Sequence, residues 1–215
     1  MAENSLERML AVIDLFREGC LEWSSDEMMR SLSYSRSTLY RYLKILVEAG
    51  LLSSMPNTGY TLGPRIIELD YLLRKSDPLI LSGRPFLLEL VSRYPGTAMI
   101  VRLFKDKILC VHHEKSSKDT RSSYARGRLM PITRGATGKA ILAFLPKTHL
   151  LKLIEPGLDD FRRTGFGDTT SAVLQSLRTI RSQGFAVAHG EVTAGVYGVA
   201  APIFNSDQAV IPSIS

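Results

Sequence analysis

The chain has 215 residues, of which 45% are apolar and 22% charged, with a formal net charge of +6. That length suffices for two modest domains, each burying its own core. No apolar run approaches the ~18 to 20 residues needed to cross a bilayer, the N-terminus lacks the charged-then-apolar order of a secretion signal, and Cys20 and Cys110 stand far apart, so a cytoplasmic protein without membrane partner, disulfide framework, metal or cofactor is expected.

The first predicted helix covers 5–18, with Leu6, Met9, Leu10, Ile13 and Phe16 as an apolar stripe and Gly19 ending it. Ser24 with Glu27 three residues later makes a capping box for a short helix over 25–31, whose Met28, Met29 and Leu32 point inward. Ser33 and Tyr34 form the turn. Ser35 then caps a second helix over 36–49, which sorts into two faces. Leu39, Leu43, Leu46 and Val47 recur on one, and Tyr42 is expected to pack. Ser37, Tyr40, Arg41 and Lys44 recur at helical spacing on the other, so hydrogen-bonding and cationic groups project away from the core. Two short strands, 51–55 and 60–62, follow around Pro56-Asn57-Thr58-Gly59. Together these elements describe a winged helix-turn-helix, whose second helix suits a DNA major groove.

Charge is a weaker guide. Residues 1–77 hold 9 Lys or Arg against 11 Asp or Glu, whereas 78–215 hold 18 against 10, so the surplus lies outside the winged segment. Nucleic-acid binding must therefore rest on the local cluster of Arg36, Arg41 and Lys44, free of acids until Glu48.

Gly63-Pro64 starts a further helix to about Lys75, with Ile66, Ile67, Leu69, Leu72 and Leu73 apolar over a broad arc, as in a linker that packs on a second subunit. Asp77-Pro78 marks a boundary, after which helices and strands alternate. A helix over 79–93, interrupted or restarted at 83–85, precedes β-rich runs at 97–104 and 108–115, joined by Lys105-Asp106-Lys107. A strand at 129–132, helices at 136–145, 147–154 and 171–182, and antiparallel strands at 185–188, 196–203 and 209–214 complete an α+β domain. The final pair is joined at Asn205-Ser206-Asp207-Gln208. The sequence stops at Ser215 within a strand-like run, giving the expectation that the second domain is truncated at its C-terminus.

Three stretches carry a family likeness. Ser35-Arg36-Ser37-Thr38-Leu39-Tyr40-Arg41-Tyr42-Leu43 runs on to Tyr60-Thr61-Leu62-Gly63. The second is Thr133-Arg134-Gly135-Ala136-Thr137-Gly138-Lys139-Ala140-Ile141-Leu142-Ala143. The third is Gly184-Phe185-Ala186-Val187, continued by Glu191 and by 195–203. In order and spacing they resemble the IclR family of bacterial transcriptional regulators over essentially the whole chain. The resemblance implies an N-terminal winged helix-turn-helix (1–63), a linker helix (64–77) and a GAF-like effector-binding domain (78–215). It also implies a homodimer or tetramer that binds a double-stranded DNA operator and responds to a small organic acid, aromatic acids among them.

On that reading Arg36, Ser37, Thr38, Tyr40, Arg41 and Lys44 meet DNA, some on base edges and others on phosphates. The alternative is a sensor whose winged domain mediates protein contacts. Asn57 and Thr58 in the wing could touch the sugar-phosphate backbone or serve only as turn residues. Gly135 and Ala136 open a helix whose free N–H groups and dipole suit a carboxylate, unless these small residues serve only close packing. Ala188 stands where many relatives carry an Asp that grips the effector, which favours a different or more apolar ligand. Val196 and Gly198 match pocket-lining positions, with Gly198 leaving room for a larger group, and Ser215 matches a pocket serine. An enzyme is the remote reading: Cys110 and His112 sit at strand spacing for one face, but nothing completes a triad and two ligands make no zinc site. The run Lys115, Lys118, Arg121, Arg126, Arg128 is expected to be a solvated loop and strand edge.

Overall fold

A computed structural model describes residues 4–56, 59–116 and 124–204, and the backbone of 210–214. The chain forms two compact units, Met1–Asp77 and Pro78–Ser215.

In the first unit α1 (Ser5–Ile13) is opened by an Asn4/Glu7 capping box, and α2 (Ser25–Leu32) by the Ser24/Glu27 box expected from sequence. Ser33, at φ 55°, reverses the chain into α3 (Arg36–Glu48), whose N-terminus Ser35 caps through its hydroxyl. Val12, Met28, Tyr34, Leu39, Tyr42, Leu43, Leu46 and Leu52 form one buried cluster. Two phenols tie it to α1: Tyr42 Oη lies 3.0 Å from Ser5 Oγ, and Tyr34 Oη donates to the Arg8 carbonyl at 3.1 Å. Gly50, at φ +69°, ends α3 with Gly50 N donating to Val47 O and Leu51 N to Leu46 O, a Schellman arrangement only glycine enters freely. The hairpin β1 (Leu52–Met55) and β2 (Gly59–Leu62) follows, then α4 (Pro64–Ser76), which buries none of its residues.

One boundary differs from expectation. Helix α1 stops at Ile13 rather than continuing to residue 18. The chain instead folds into a tight turn in which Arg17 and Cys20 exchange backbone hydrogen bonds around Gly19 at φ +90°, and the Trp23 indole donates to the Leu15 carbonyl. Apolar spacing alone continued the helix; the later partners of that backbone decide otherwise.

The second unit contains α5 (Pro78–Arg93), β3 (Thr97–Phe104), β4 (Lys107–Lys115), β5 (Leu129–Met130), α6 (Gly135–Leu142), α7 (Lys147–Arg163), α8 (Thr170–Gln183), β6 (Ala186–His189), β7 (Tyr197–Phe204) and β8 (Val210–Ile214). The strands form one antiparallel sheet in the order β5-β4-β3-β8-β7-β6. Alternation along β3 assigns its two faces. Ala98 and Ile100 pack with Leu87 of α5, while Met99 and Val101 pack with Ile141 of α6. Helices α7 and α8 extend the α6 side into the main core, with Phe161, Ile154, Val173 and Leu177 fully or nearly fully buried.

Two further expectations are corrected. Helix α5 runs unbroken through Gly83 and Pro85; Gly83 is where the helix lies so close to β3 that an added Cβ would collide with the Ile100 side chain. Helix α7 continues past 154 to Arg163, through Pro156, because its second half carries Phe161 into the core and sets Gly157 against Thr133. The turn 205–208, Asn57, Thr58, Lys118, Arg121 and Ser215 lie outside the described residues.

Candidate nucleic-acid interface and effector pocket

Helix α3 turns a polar face outward. Arg36, Ser37, Tyr40, Arg41 and Lys44 are exposed, while Thr38 is half-buried with its hydroxyl accepting from Ser35 Oγ at 2.9 Å. Arg36 and Arg41 each lie over a tyrosine ring, that of Tyr40 at 5.4 Å and that of Tyr42 at 5.3 Å. This contact restrains a guanidinium without neutralising it. Tyr40 Oη sits 3.2 Å from Ser25 Oγ, linking the second turn of α3 to the start of α2. Lys44 pairs with Glu48 at 3.8 Å, but both side chains are mostly in water, so a phosphate can displace the carboxylate at small cost. The wing is anchored by a bridge in which Trp23 and Tyr60 exchange backbone hydrogen bonds at 3.0 and 2.8 Å.

The second unit brings Gly135, Ala136, Ala188 and Gly198 together. Ala188 and Gly198 are paired across β6 and β7, and an added Cβ on Gly198 would lie 3.4 Å from Ala136 Cβ. That is ordinary van der Waals contact, with nothing else within 4 Å, so Gly198 borders helix α6 on one side. Ala136 and Ala188 are buried in the same core cluster. Val196, half-buried, closes the turn between the two strands, its carbonyl accepting from Gly190 N at 2.9 Å.

At the N-terminus of α6 a carboxylate is already in place, and it belongs to the chain. Gly135, at φ +81°, donates its N–H to Glu191 Oε2 at 2.9 Å, and Lys139 Nζ donates to Glu191 Oε1. The Lys139 side chain is only 5% exposed and that of Glu191 12%, so each neutralises the other within the domain. The approach to Gly135 is held from α7, where Asp160 accepts from Thr133 Oγ1 at 2.7 Å and pairs with Arg134 and Arg163. Neither Glu191 nor Asp160 was assigned from sequence. The signal for the first was its place in the third family-like stretch, after Gly184-Phe185-Ala186-Val187; for the second there was none.

The comparisons with known proteins agree over the full length. Residues 5–56 match the IclR helix-turn-helix domain, and residues 73–215 match the C-terminal domain of the bacterial transcriptional regulator IclR. The chain belongs to the IclR family.

The HTH-type transcriptional regulator XynR of Escherichia coli K12 is 31% identical over 219 residues, covering 99% of this chain and 84% of that protein. An IclR transcriptional regulator from Alicyclobacillus acidocaldarius shares the fold with a TM-score of 0.81 at 23% identity, over all of this chain and 87% of that one. An IclR homolog from Microbacterium hydrocarbonoxydans, solved with 4-hydroxybenzoate, gives a TM-score of 0.73 at 21% identity over 98% and 87% of the two chains. This IclR-family protein is thus a DNA-binding transcriptional regulator with a winged helix-turn-helix and an α+β C-terminal domain. Its relatives are regulators rather than enzymes, and a winged unit used only for protein contacts is not favoured.

The cysteine–histidine pairing weighed from sequence does not form. Val101 pairs with Cys110 but Ile100 with His112, so Val111 is an extra residue that turns Cys110 and His112 to opposite faces of the sheet. Cys110 packs beneath α6, where burial pushes its thiol up to about 11. His112 meets Glu114, which also accepts from Arg84 of α5 at 2.9 Å. Among the described residues no three His, Cys, Asp or Glu gather as metal ligands, and no helix is long and apolar enough to cross a membrane. Arg126 and Arg128 are half-buried rather than solvated: Arg126 donates to the Val111 carbonyl, and Arg128 lies over the Tyr124 ring at 5.6 Å.

Proposed function

We propose that this regulator works in the cytoplasm as a homodimer or tetramer, with residues 1–63 reading a double-stranded operator, 64–77 linking, and 78–215 sensing a small organic acid. The observation that carries the DNA reading is the outward face of α3, where Arg36, Ser37, Tyr40, Arg41 and Lys44 line up at helical spacing, capped at Ser35 and held at Tyr40. Arg41 has the reach for bidentate hydrogen bonds to a guanine edge, Lys44 supplies a phosphate contact, and Ser37 and Thr38 sit at the helix N-terminus that enters the groove first. Exposed Ile67, Leu72 and Leu73 on α4 support assembly through that helix, and a two-fold dimer would present two recognition helices to related half-sites.

The acid reading is supported by the α6 N-terminus, which together with Lys139 holds a carboxylate, and by the 4-hydroxybenzoate bound to the Microbacterium homolog. Gly135, Ala136, Ala188, Val196, Gly198 and Ser215 are the proposed effector residues. The test is to recover duplexes from a randomised pool with the full chain and titrate the winner with and without 4-hydroxybenzoate and related acids. A specific sequence bound about 10³-fold or more above random DNA is expected, with an acid changing that affinity about 5- to 150-fold. Uniform affinity for all sequences would refute operator reading; acid-independent operator binding would refute sensing.

A further inference from the structure

We propose that Glu191 is a built-in competitor for the effector's carboxylate and thereby determines which acids the domain answers to; this rests on the acid-sensing reading above. Three features of one loop carry it. The Glu191 carboxylate takes both donors an incoming acid would use, Gly135 N–H and the buried Lys139 ammonium. Its neighbour Val192 covers the same spot, since an added Cβ on Gly135 would meet Val192 Cγ2 at 2.9 Å. And the segment bearing both is a closed turn hinged on glycines, with Gly190 at φ +66°, Gly195 at φ +73°, and Gly190 N donating to Val196 O at 2.9 Å.

Two carboxylates cannot both take the single Gly135 N–H, and their mutual repulsion in a water-poor site opposes their sharing the Lys139 ammonium as two anions. An effector acid therefore binds by displacing Glu191, and its apparent affinity is its intrinsic affinity multiplied by the fraction of molecules in which the turn is open. With minor states commonly populated at about 0.1 to 10%, that lowers acid affinity about 10- to 1,000-fold. A tethered carboxylate also acts at a high effective concentration. Simple acids that offer nothing but a carboxylate lose to it, whereas an acid with an apolar or aromatic body gains contacts Glu191 lacks. Displacement swings the 190–196 turn away from α6, which converts occupancy into a change of shape.

The test compares wild type and Glu191→Gln as full-length chains, measuring calorimetric affinity for acetate, benzoate and 4-hydroxybenzoate, and for neutral 4-hydroxybenzamide. Glutamine keeps the size and removes the competing charge, so the aromatic acids should bind about tenfold or more tighter to the variant, and the neutral amide, which must open the same turn but cannot pair with Lys139, should gain less. Equal or weaker acid binding by the variant, with wild type binding normally, overturns the competitor role and leaves acid sensing intact. No acid binding by either protein overturns both. Hydrogen exchange on wild type gives a readout independent of the variant's folding: saturation with 4-hydroxybenzoate should speed exchange in 190–196 and slow it at 135–139. Slower or unchanged exchange in 190–196 would overturn displacement.

Discussion

Replacing Gly59 by Ala tests how the wing is fixed to the helix-turn-helix. Gly59 sits at φ +109°, a conformation that costs an L-residue roughly 1 to 2 kcal/mol. The new Cβ would also fall 2.9 Å from the Trp23 carbonyl carbon and nearer still to its oxygen, which accepts the Tyr60 N–H at 2.8 Å. Relieving that overlap parts the Trp23–Tyr60 bridge, whose two hydrogen bonds contribute about 0.5 to 1.5 kcal/mol each. The combined loss is about 2 to 5 kcal/mol. Gly19→Ala is the internal control: it lies at φ +90° with nothing within 4 Å of the added Cβ, so only the conformational part applies. The chain has a single tryptophan, Trp23, so its fluorescence follows urea unfolding of this unit alone. Gly59→Ala should lose at least about 1 kcal/mol more than Gly19→Ala at unchanged slope. Equal losses would refute the packing argument and leave only backbone strain.

Three further outcomes are expected. Native protein at pH 8 should be alkylated at half-exposed Cys20 and spared at Cys110, whose buried thiol titrates at about 11; peptide mapping after iodoacetamide checks this, and equal labelling contradicts the burial. Burial, reinforced by Lys115 and His112 and opposed by Glu114, holds the His113 imidazole below its usual 6.5, so its stabilising effect is full above that pH and is lost as pH falls through the lowered value. His113→Gln should flatten that decline in urea titrations between about pH 7 and 5, and an unchanged slope would remove His113 as its source. Asp160→Ala should destabilise the second unit by about 1 to 3 kcal/mol, through the lost partner of Thr133, and weaken 4-hydroxybenzoate binding as the approach to Gly135 loosens. Denaturation and calorimetry read the two effects.

What the sequence revealed and withheld follows from the range of the interactions. The capping box at Ser24 and Glu27, the Ser35 cap and the two faces of α3 are set within a few residues, and they stand in the structure as spacing implied. The ends of α1 and α7 depend on distant partners: the Trp23 indole claims the Leu15 carbonyl, and the seat of Phe161 in the core carries α7 past Pro156. The bulge at Val111, which separates Cys110 from His112, is a property of pairing with β3 and leaves no mark in local composition. The small residues at the α6 N-terminus mark it in the sequence as a candidate place for a carboxylate. Its occupant was not legible, because Glu191 lies 56 residues from Gly135 and 52 from Lys139. Legibility ended where contacts crossed the sheet or joined separate helices.

The salt dependence of operator affinity in wild type, Lys44→Ala and Arg41→Ala tests the central claim, that the outward face of α3 reads DNA. Losing one phosphate contact should reduce the slope of log K against log salt by about 0.9 for Lys44→Ala, with preference among sequences retained. Arg41→Ala should lose about 1 to 3 kcal/mol of discrimination at one base position. Wild-type slope, affinity and sequence preference in both variants would contradict the account.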